Sequence, residues 1–233
     1  MRLTVVGCSP AWPNPGAAHS GYLVEHGGAR VLLDCGPGVL PRLRAAEGWP
    51  KVDAIVISHF HLDHSGDLVP WLWGHLMGPA AGTRGPALWL PPESRADLDA
   101  LASGFDEAFD VREYAERSRF SVGALSITPL RVPHYDRPTW ALRVEAGGRV
   151  LAYSADTSPS PALVDCARGA DLFLCEATLD GPDREPRGHL RADEAAAAAE
   201  EAGAQRLLLV HRPVELPPPH GLEAATDGLV VEL

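Results

Sequence analysis

Residues 59–64 read His59-Phe60-His61-Leu62-Asp63-His64, three imidazoles and one carboxylate within six positions. Neutral imidazole and carboxylate are ligands that zinc and other borderline divalent metals accept. A solvated loop or a helix cap seldom needs so many histidines. The run therefore reads as a metal-binding loop whose side chains fan toward two neighbouring points. Asp67, just beyond it, reads as a helix-capping or first-turn acid rather than a ligand. One loop cannot complete two coordination shells, so further ligands must come from elsewhere in the chain.

The elements around the loop show where to look. AIVIS (residues 54–58) is a β-branched apolar run, expected as a short buried strand leading straight into His59. Three other residues stand in the same relation to a strand: His134 after LRVP, Asp156 after VLAYSA and His211 after RLLLV. One polar residue closing a strand means little, but three of them beside this loop point to strand ends converging on one metal centre. RLTVV reads as a strand, and YLVEH and RVLLDC as a hairpin around Gly27-Gly28. RFSVGALSITPLRV, TWALRVEAGGRVLAYSAD, ADLFLCEAT and the final GLVVEL are strand-rich. Helices are expected over residues 37–47 and 68–77, PPESRADLDALA, PALVDCARG and RADEAAAAAEEAG, the last two closed by Gly169 and Gly203. Each half gives strands first, then strands alternating with helices. That order suits an α/β fold of two mixed sheets face to face with helices outside, an αβ/βα sandwich, as a single domain over 1–233.

Composition bounds the function. With 233 residues the chain can bury a sizeable core, and its 45% hydrophobic and 22% charged content is ordinary for a globular protein. No apolar stretch is long enough for a membrane span, and the N-terminus lacks the basic start and apolar core of a signal peptide. A cytoplasmic protein without a membrane partner is the expectation. The four cysteines form no CxxC pair and are expected as buried free thiols. A net charge of −11 argues against broad capture of nucleic acid, while bound cations would still admit a small anionic substrate.

HFHLDH matches the HxHxDH signature of the metallo-β-lactamase superfamily, and the chain resembles that family along nearly its whole length. LLLDCG around Asp34, VPH at His134, YSADT at Asp156 and LLLVH at His211 match the other family motifs in order. The resemblance implies that His59, His61 and His134 bind one metal, that Asp63, His64 and His211 bind a second, and that Asp156 bridges both. It gives Asp34 the role of orienting a ligand of the HxHxDH loop. Two divalent ions are implied, zinc first, with manganese or iron able to occupy the same set. Such a pair holds a hydroxide as nucleophile, with Asp63 helping to position it, and neutralises charge on the attacked group.

The branch follows from departures as much as matches. Asp156 stands where antibiotic-degrading members carry cysteine, and His61 where the oxygen-reducing diiron members carry glutamate. EATLDGPDREPRGHL looks like the phosphodiesterase branch, in which ribonuclease Z uses the matching histidine, here His189, to protonate the leaving group. Leu190-Arg191 replaces the Ser-Thr that follows in ribonuclease Z, and no long basic arm for transfer RNA is present. SGYL at 20–23, DCGPG at 34–38, SHFHLDH at 58–64, LAYSADT at 151–157 and DLFLCEA at 171–177 are similar to the small atypical bacterial cyclic nucleotide phosphodiesterases. The expected reaction is hydrolysis of a small anionic nucleotide phosphodiester such as 3′,5′-cyclic AMP. A transfer-RNA 3′-processing endonuclease is the alternative, followed by an ester, thioester or lactone hydrolase and by a non-catalytic metal-binding accessory protein. Trp12, Trp71, Trp73, Tyr135 and Trp140 lie nearest the motifs; each is expected in core packing, although any could stack on a base. The apolar 68–77 segment could face the core or a second copy in a homodimer.

Overall fold

The computed structural model describes residues 1–233. In chain order the first half runs β1 (Arg2–Gly7), β2 (Gly21–His26), β3 (Ala29–Leu33), α1 (Val39–Glu47), β4 (Ala54–Val56), α2 (Leu62–Ser65), α3 (Leu68–Leu76), β5 (Ala87–Leu90), α4 (Arg95–Leu101), α5 (Phe105–Ala108) and β6 (Asp110–Glu113). The second half runs β7 (Phe120–Val122), β8 (Leu125–Val132), β9 (Thr139–Ala146), β10 (Arg149–Tyr153), α6 (Pro161–Ala167), β11 (Leu172–Glu176), α7 (Ala192–Ala202), β12 (Leu207–Val210) and β13 (Glu223–Ala224). The last strand, β14 (Val230–Glu232), returns to pair antiparallel with β1.

These strands form two seven-stranded sheets, β14-β1-β2-β3-β4-β5-β6 and β13-β12-β11-β10-β9-β8-β7. In each, antiparallel hairpins on one side give way to parallel strands joined by helical crossovers. Side chains alternate across each strand, so each sheet has two apolar faces to cover. The inner faces meet in a core that joins Val5, Tyr22, Val31 and Leu33 to Leu142, Val144, Tyr153 and Leu174. The outer face of the first sheet packs on α1, α3, α4 and α5, and that of the second on α6 and α7. The expected αβ/βα sandwich is the observed fold.

Local chemistry sets the helix ends. Ser160 Oγ accepts the amide of Leu163 at 3.2 Å, with Pro161 in the first turn of α6. Glu194 accepts the Arg191 amide at 2.9 Å at the start of α7, and Gly203 closes that helix at φ 64°. Asp67 does cap a helix, although not the one that follows it: its Oδ2 accepts the Leu40 amide at 2.8 Å, at the start of α1. The short elements α2, α5, β6 and β13 lay outside the sequence expectations. β6 reads DVRE and is half-exposed at a sheet edge, so it carries no apolar alternation. All four cysteines are buried and free. Trp71 and Trp140 are core residues, whereas Trp73 and Met77 point outward at 44% and 72% exposure. No helix is long and apolar enough to cross a membrane.

Candidate metal centre

The centre lies where strands of both sheets end. The chain leaves β4 through Ile57 and Ser58 into His59, and His61, itself extended, precedes the single helical turn of α2. That turn lifts Asp63 and His64 to one side, so the loop serves two points at once. From the other sheet, β8 delivers His134, β10 delivers Asp156 and β12 delivers His211. Asp34, Tyr135, Ala155 and His211 all hold positive φ, between 47° and 58°. Such backbone is uncommon for residues other than glycine, and here it gathers at the strand ends that surround the site. Gly36 belongs to the same construction, because a Cβ there would collide with the Asp63 carbonyl.

Two groups of donors result. His59, His61, His134 and Asp156 bring one ligand atom each within 4.8 Å of one another, and so do Asp63, His64, Asp156 and His211. Asp156 faces both groups with different oxygens. Its Oδ2 lies 3.8 Å from His59 Nε2 and from His134 Nε2, while Oδ1 lies 3.3 Å from His64 Nε2 and 3.6 Å from His211 Nε2. Asp63 Oδ2 lies 3.0 Å from His211 Nε2. Every sequence-derived ligand candidate is therefore in one place.

The rings are held from behind. His134 Nδ1 sits 2.7 Å from the Gly188 carbonyl, and His59 Nδ1 sits 3.0 Å from Ser58 Oγ. His64 Nδ1 is 2.7 Å from Asp34 Oδ2. Asp34 also accepts from the Ser58 amide at 2.7 Å, the Ser58 hydroxyl at 2.8 Å and the Tyr153 hydroxyl at 2.6 Å. It thus contacts His64 of the HxHxDH loop and fixes which nitrogen of that ring faces inward.

The residues fit a pair of divalent cations. His134 Nε2 and His61 Nδ1 approach to 3.0 Å, and His59 Nε2 and His61 Nδ1 to 3.2 Å, with the outward nitrogens of His59 and His134 already engaged. Such converging lone pairs repel one another unless a cation lies between them. His64 Nε2 and Asp156 Oδ1 are buried and have no hydrogen-bond partner, a costly state for polar atoms in a protein interior. Burial, reinforced by neighbouring histidines, drives His59 well below the usual imidazole range and His61 to about 4, which leaves them neutral and able to ligate. At His64 burial opposes charge, but Asp156, Asp63 and Asp34 outweigh it and favour the protonated ring. The field at that point calls for positive charge, which a metal supplies.

Another buried carboxylate, given no role in the sequence reading, lies behind His189. Glu176 closes β11 and is 1% exposed. It accepts the Thr157 amide at 2.9 Å, the Thr178 hydroxyl at 2.8 Å and the Leu190 amide at 3.3 Å. His189 Nδ1 lies 2.8 Å from its Oε1, and Thr178 Oγ1 lies 2.8 Å from His211 Nδ1. Burial disfavours the charged form of His189, yet Glu176 more than offsets this and raises the imidazole to about 9. The His189 ring stacks on His211 with centroids 5.6 Å apart. Glu176 opens the EATLDGPDREPRGHL segment and ends the apolar run LFLCE, where a buried charge must find partners, but no role was assigned to it from the sequence.

A cavity of about 630 Å³ opens over the centre, lined by His61, Asp63, Asp156, His189 and His211 from the site and by Trp12, Tyr135, Leu179 and Leu216 above it. A family model described as beta-lactamase superfamily domain matches residues 29–212. The chain belongs to this superfamily. Among superfamily relatives, a Mycobacterium leprae protein of undescribed activity is 35% identical over 223 residues, covering 91% of this chain and 78% of its own. YhfI of Bacillus subtilis, a probable metallo-hydrolase, is 31% identical over 91% of this chain and 87% of its own. Its crystal structure, a metallo-beta-lactamase fold, superposes with a TM-score of 0.87 over 99% of both chains at 26% identity. Ribonuclease Z of Myxococcus xanthus is 30% identical over 91% of this chain and 86% of its own. The superfamily fold and the buried His/Asp cluster together equip this chain as a metal-dependent hydrolase.

Proposed function

We propose that the protein hydrolyses the phosphodiester of a small nucleotide, with 3′,5′-cyclic AMP the candidate substrate. In this reading His59, His61 and His134 would hold one divalent ion, Asp63, His64 and His211 would hold another, and Asp156 is placed to serve both. Zinc suits the donor set best. Two such ions lower the pKa of water and neutralise charge gathering on the phosphoryl oxygens. Asp63, at the mouth of the cluster, positions the attacking water. His189 keeps Nδ1 on Glu176 and turns Nε2 toward the cavity, from which it would hand a proton to the departing ribose oxygen as the P–O bond breaks. Arg187 and Gly188 hold the loop in place, the Gly188 amide donating to Asp183 at 3.0 Å.

The observation that carries this reading is the Glu176–His189 pair beside the ligand cluster, in one cavity of small-molecule size. An alkoxide leaving group needs a proton, and this pair offers one. The net charge of −11 and the small cavity favour a nucleotide over a long RNA. Likeness to ribonuclease Z supports a second reading, transfer-RNA 3′ processing. The test is metal-dependent turnover of cyclic AMP, bis(p-nitrophenyl) phosphate and a transfer-RNA precursor with zinc or manganese, beside Asp63→Ala. Cyclic AMP turnover abolished by the substitution supports the proposal. Cleavage of the precursor alone would replace it with the second reading, and no metal-dependent turnover of any of the three would overturn both.

A further inference from the structure

Trp12 departs from the packing expected of it. It is 53% exposed, on the loop between β1 and β2, and its side chain helps line the cavity over the ligand cluster. An exposed tryptophan at the mouth of a site is a more informative feature than a scattered surface leucine. We infer that Trp12 is the stacking platform for the aromatic base of the substrate, and so a specificity-determining residue; this rests on the phosphodiesterase reading above.

Three observations carry the inference. Leu179, Pro213 and Leu216 line the same cavity as Trp12 and give it apolar surface. That wall is built rather than loose. Asn14 Nδ2 donates to the Arg212 carbonyl at 3.0 Å, and Asn14 Oδ1 accepts the Val214 amide at 2.9 Å, tying the Trp12 loop to the segment after His211. The Arg212 guanidinium donates to the carbonyls of Leu216 at 2.6 Å, Ala177 at 2.6 Å and Pro217 at 3.1 Å, so it fixes Leu216. A stacking surface held before the ligand arrives loses less freedom on binding. Finally, Asp180 and Glu215 line the same region, so it disfavours a second phosphate and suits a neutral ring bearing N–H donors. Tyr135, with Arg184 over its ring at 4.6 Å, lines the same cavity.

The test compares wild type, Trp12→Ala and Trp12→Phe on cyclic AMP and on 1-O-methylribose 3′,5′-cyclic phosphate, which has no base. Trp12→Ala is expected to raise KM for cyclic AMP about tenfold, the scale of one lost base–aromatic stack, with kcat little changed. Its preference for cyclic AMP over the base-free diester should fall by the same factor, and Trp12→Phe should restore most of it. Adenosine 5′-monophosphate, titrated calorimetrically into the metal-loaded proteins, should bind Trp12→Ala about tenfold more weakly. An unchanged preference together with unchanged nucleotide affinity would overturn the inference. Should neither diester be hydrolysed, the phosphodiesterase reading fails while the binding arm still decides the role of Trp12.

Discussion

Two buried carboxylates, one in each half of the molecule, organise the site in the same manner and for different ends. Asp34 follows β3 of the first sheet, is fully buried, and gathers Ser58, Tyr153 and His64. Glu176 ends β11 of the second sheet, is nearly as buried, and gathers Thr157, Thr178, Leu190 and His189. Each satisfies its charge with several donors, as an isolated buried carboxylate could not. The difference is the histidine each one grips. His64, on Asp34, points its other nitrogen into the ligand cluster, whereas His189, on Glu176, points into the cavity. In the proposed reading one carboxylate serves metal binding and the other serves proton transfer, while Thr178 also links Glu176 to His211.

That division predicts separable failures. His189→Ala should lower turnover of cyclic AMP by about 10²–10⁴-fold, the range for loss of a general acid, with two metals per chain still measured by elemental analysis. The loss should be much smaller on bis(p-nitrophenyl) phosphate, whose leaving group departs without a proton. Equal losses on both substrates would break the assignment. Asp34→Ala should instead weaken metal affinity by about 10–100-fold, read by competition with a chelator, and excess zinc should recover part of the activity. The same variant leaves the Tyr153 and Ser58 hydroxyls without their acceptor, so a fall of roughly 2–4 kcal/mol in unfolding free energy of the metal-free protein is also expected. Metal lost from His189→Ala, or retained at full affinity in Asp34→Ala, would erase the contrast between the two hubs.

How far the sequence revealed this arrangement differs between the two hubs for a physical reason. The HxHxDH run is contiguous, so its chemistry is visible in six letters. His134, Asp156 and His211 were findable because each ends an apolar strand, and ends of neighbouring strands lie together in this architecture. The α/β sandwich followed from apolar periodicity and turn glycines. Glu176 was overlooked because its partners are three loop amides and two side chains brought together only by folding. Trp12 was misplaced in the core for a similar reason. Its loop is tied by Asn14 to the segment after His211, about 200 residues away in sequence, and only folding brings the two together at the cavity. α2 and β6 are too short, and in the case of β6 too polar, to impose a period.

The smallest effect concerns the proton itself. Glu176→Gln keeps the shape of the hub and one acceptor oxygen but removes the charge facing His189. In the metal-free wild type, burial opposes the imidazolium, Glu176 prevails, and His189 titrates at about 9, above its ordinary 6.5. A histidine raised in the folded state stabilises that state in full below its unfolded value, and the contribution fades as pH climbs through about 9. Without the glutamate charge, desolvation is left with less to oppose it, so the titration should move down toward or below the ordinary value. Two-dimensional NMR of the histidine rings in the metal-free protein reads this directly. The stability of Glu176→Gln should also lose the decline expected of wild type between about pH 6.5 and 9. An unshifted His189 in this variant would mean that its proton is held by something other than Glu176, and the parallel with Asp34 and His64 would fail at its second member.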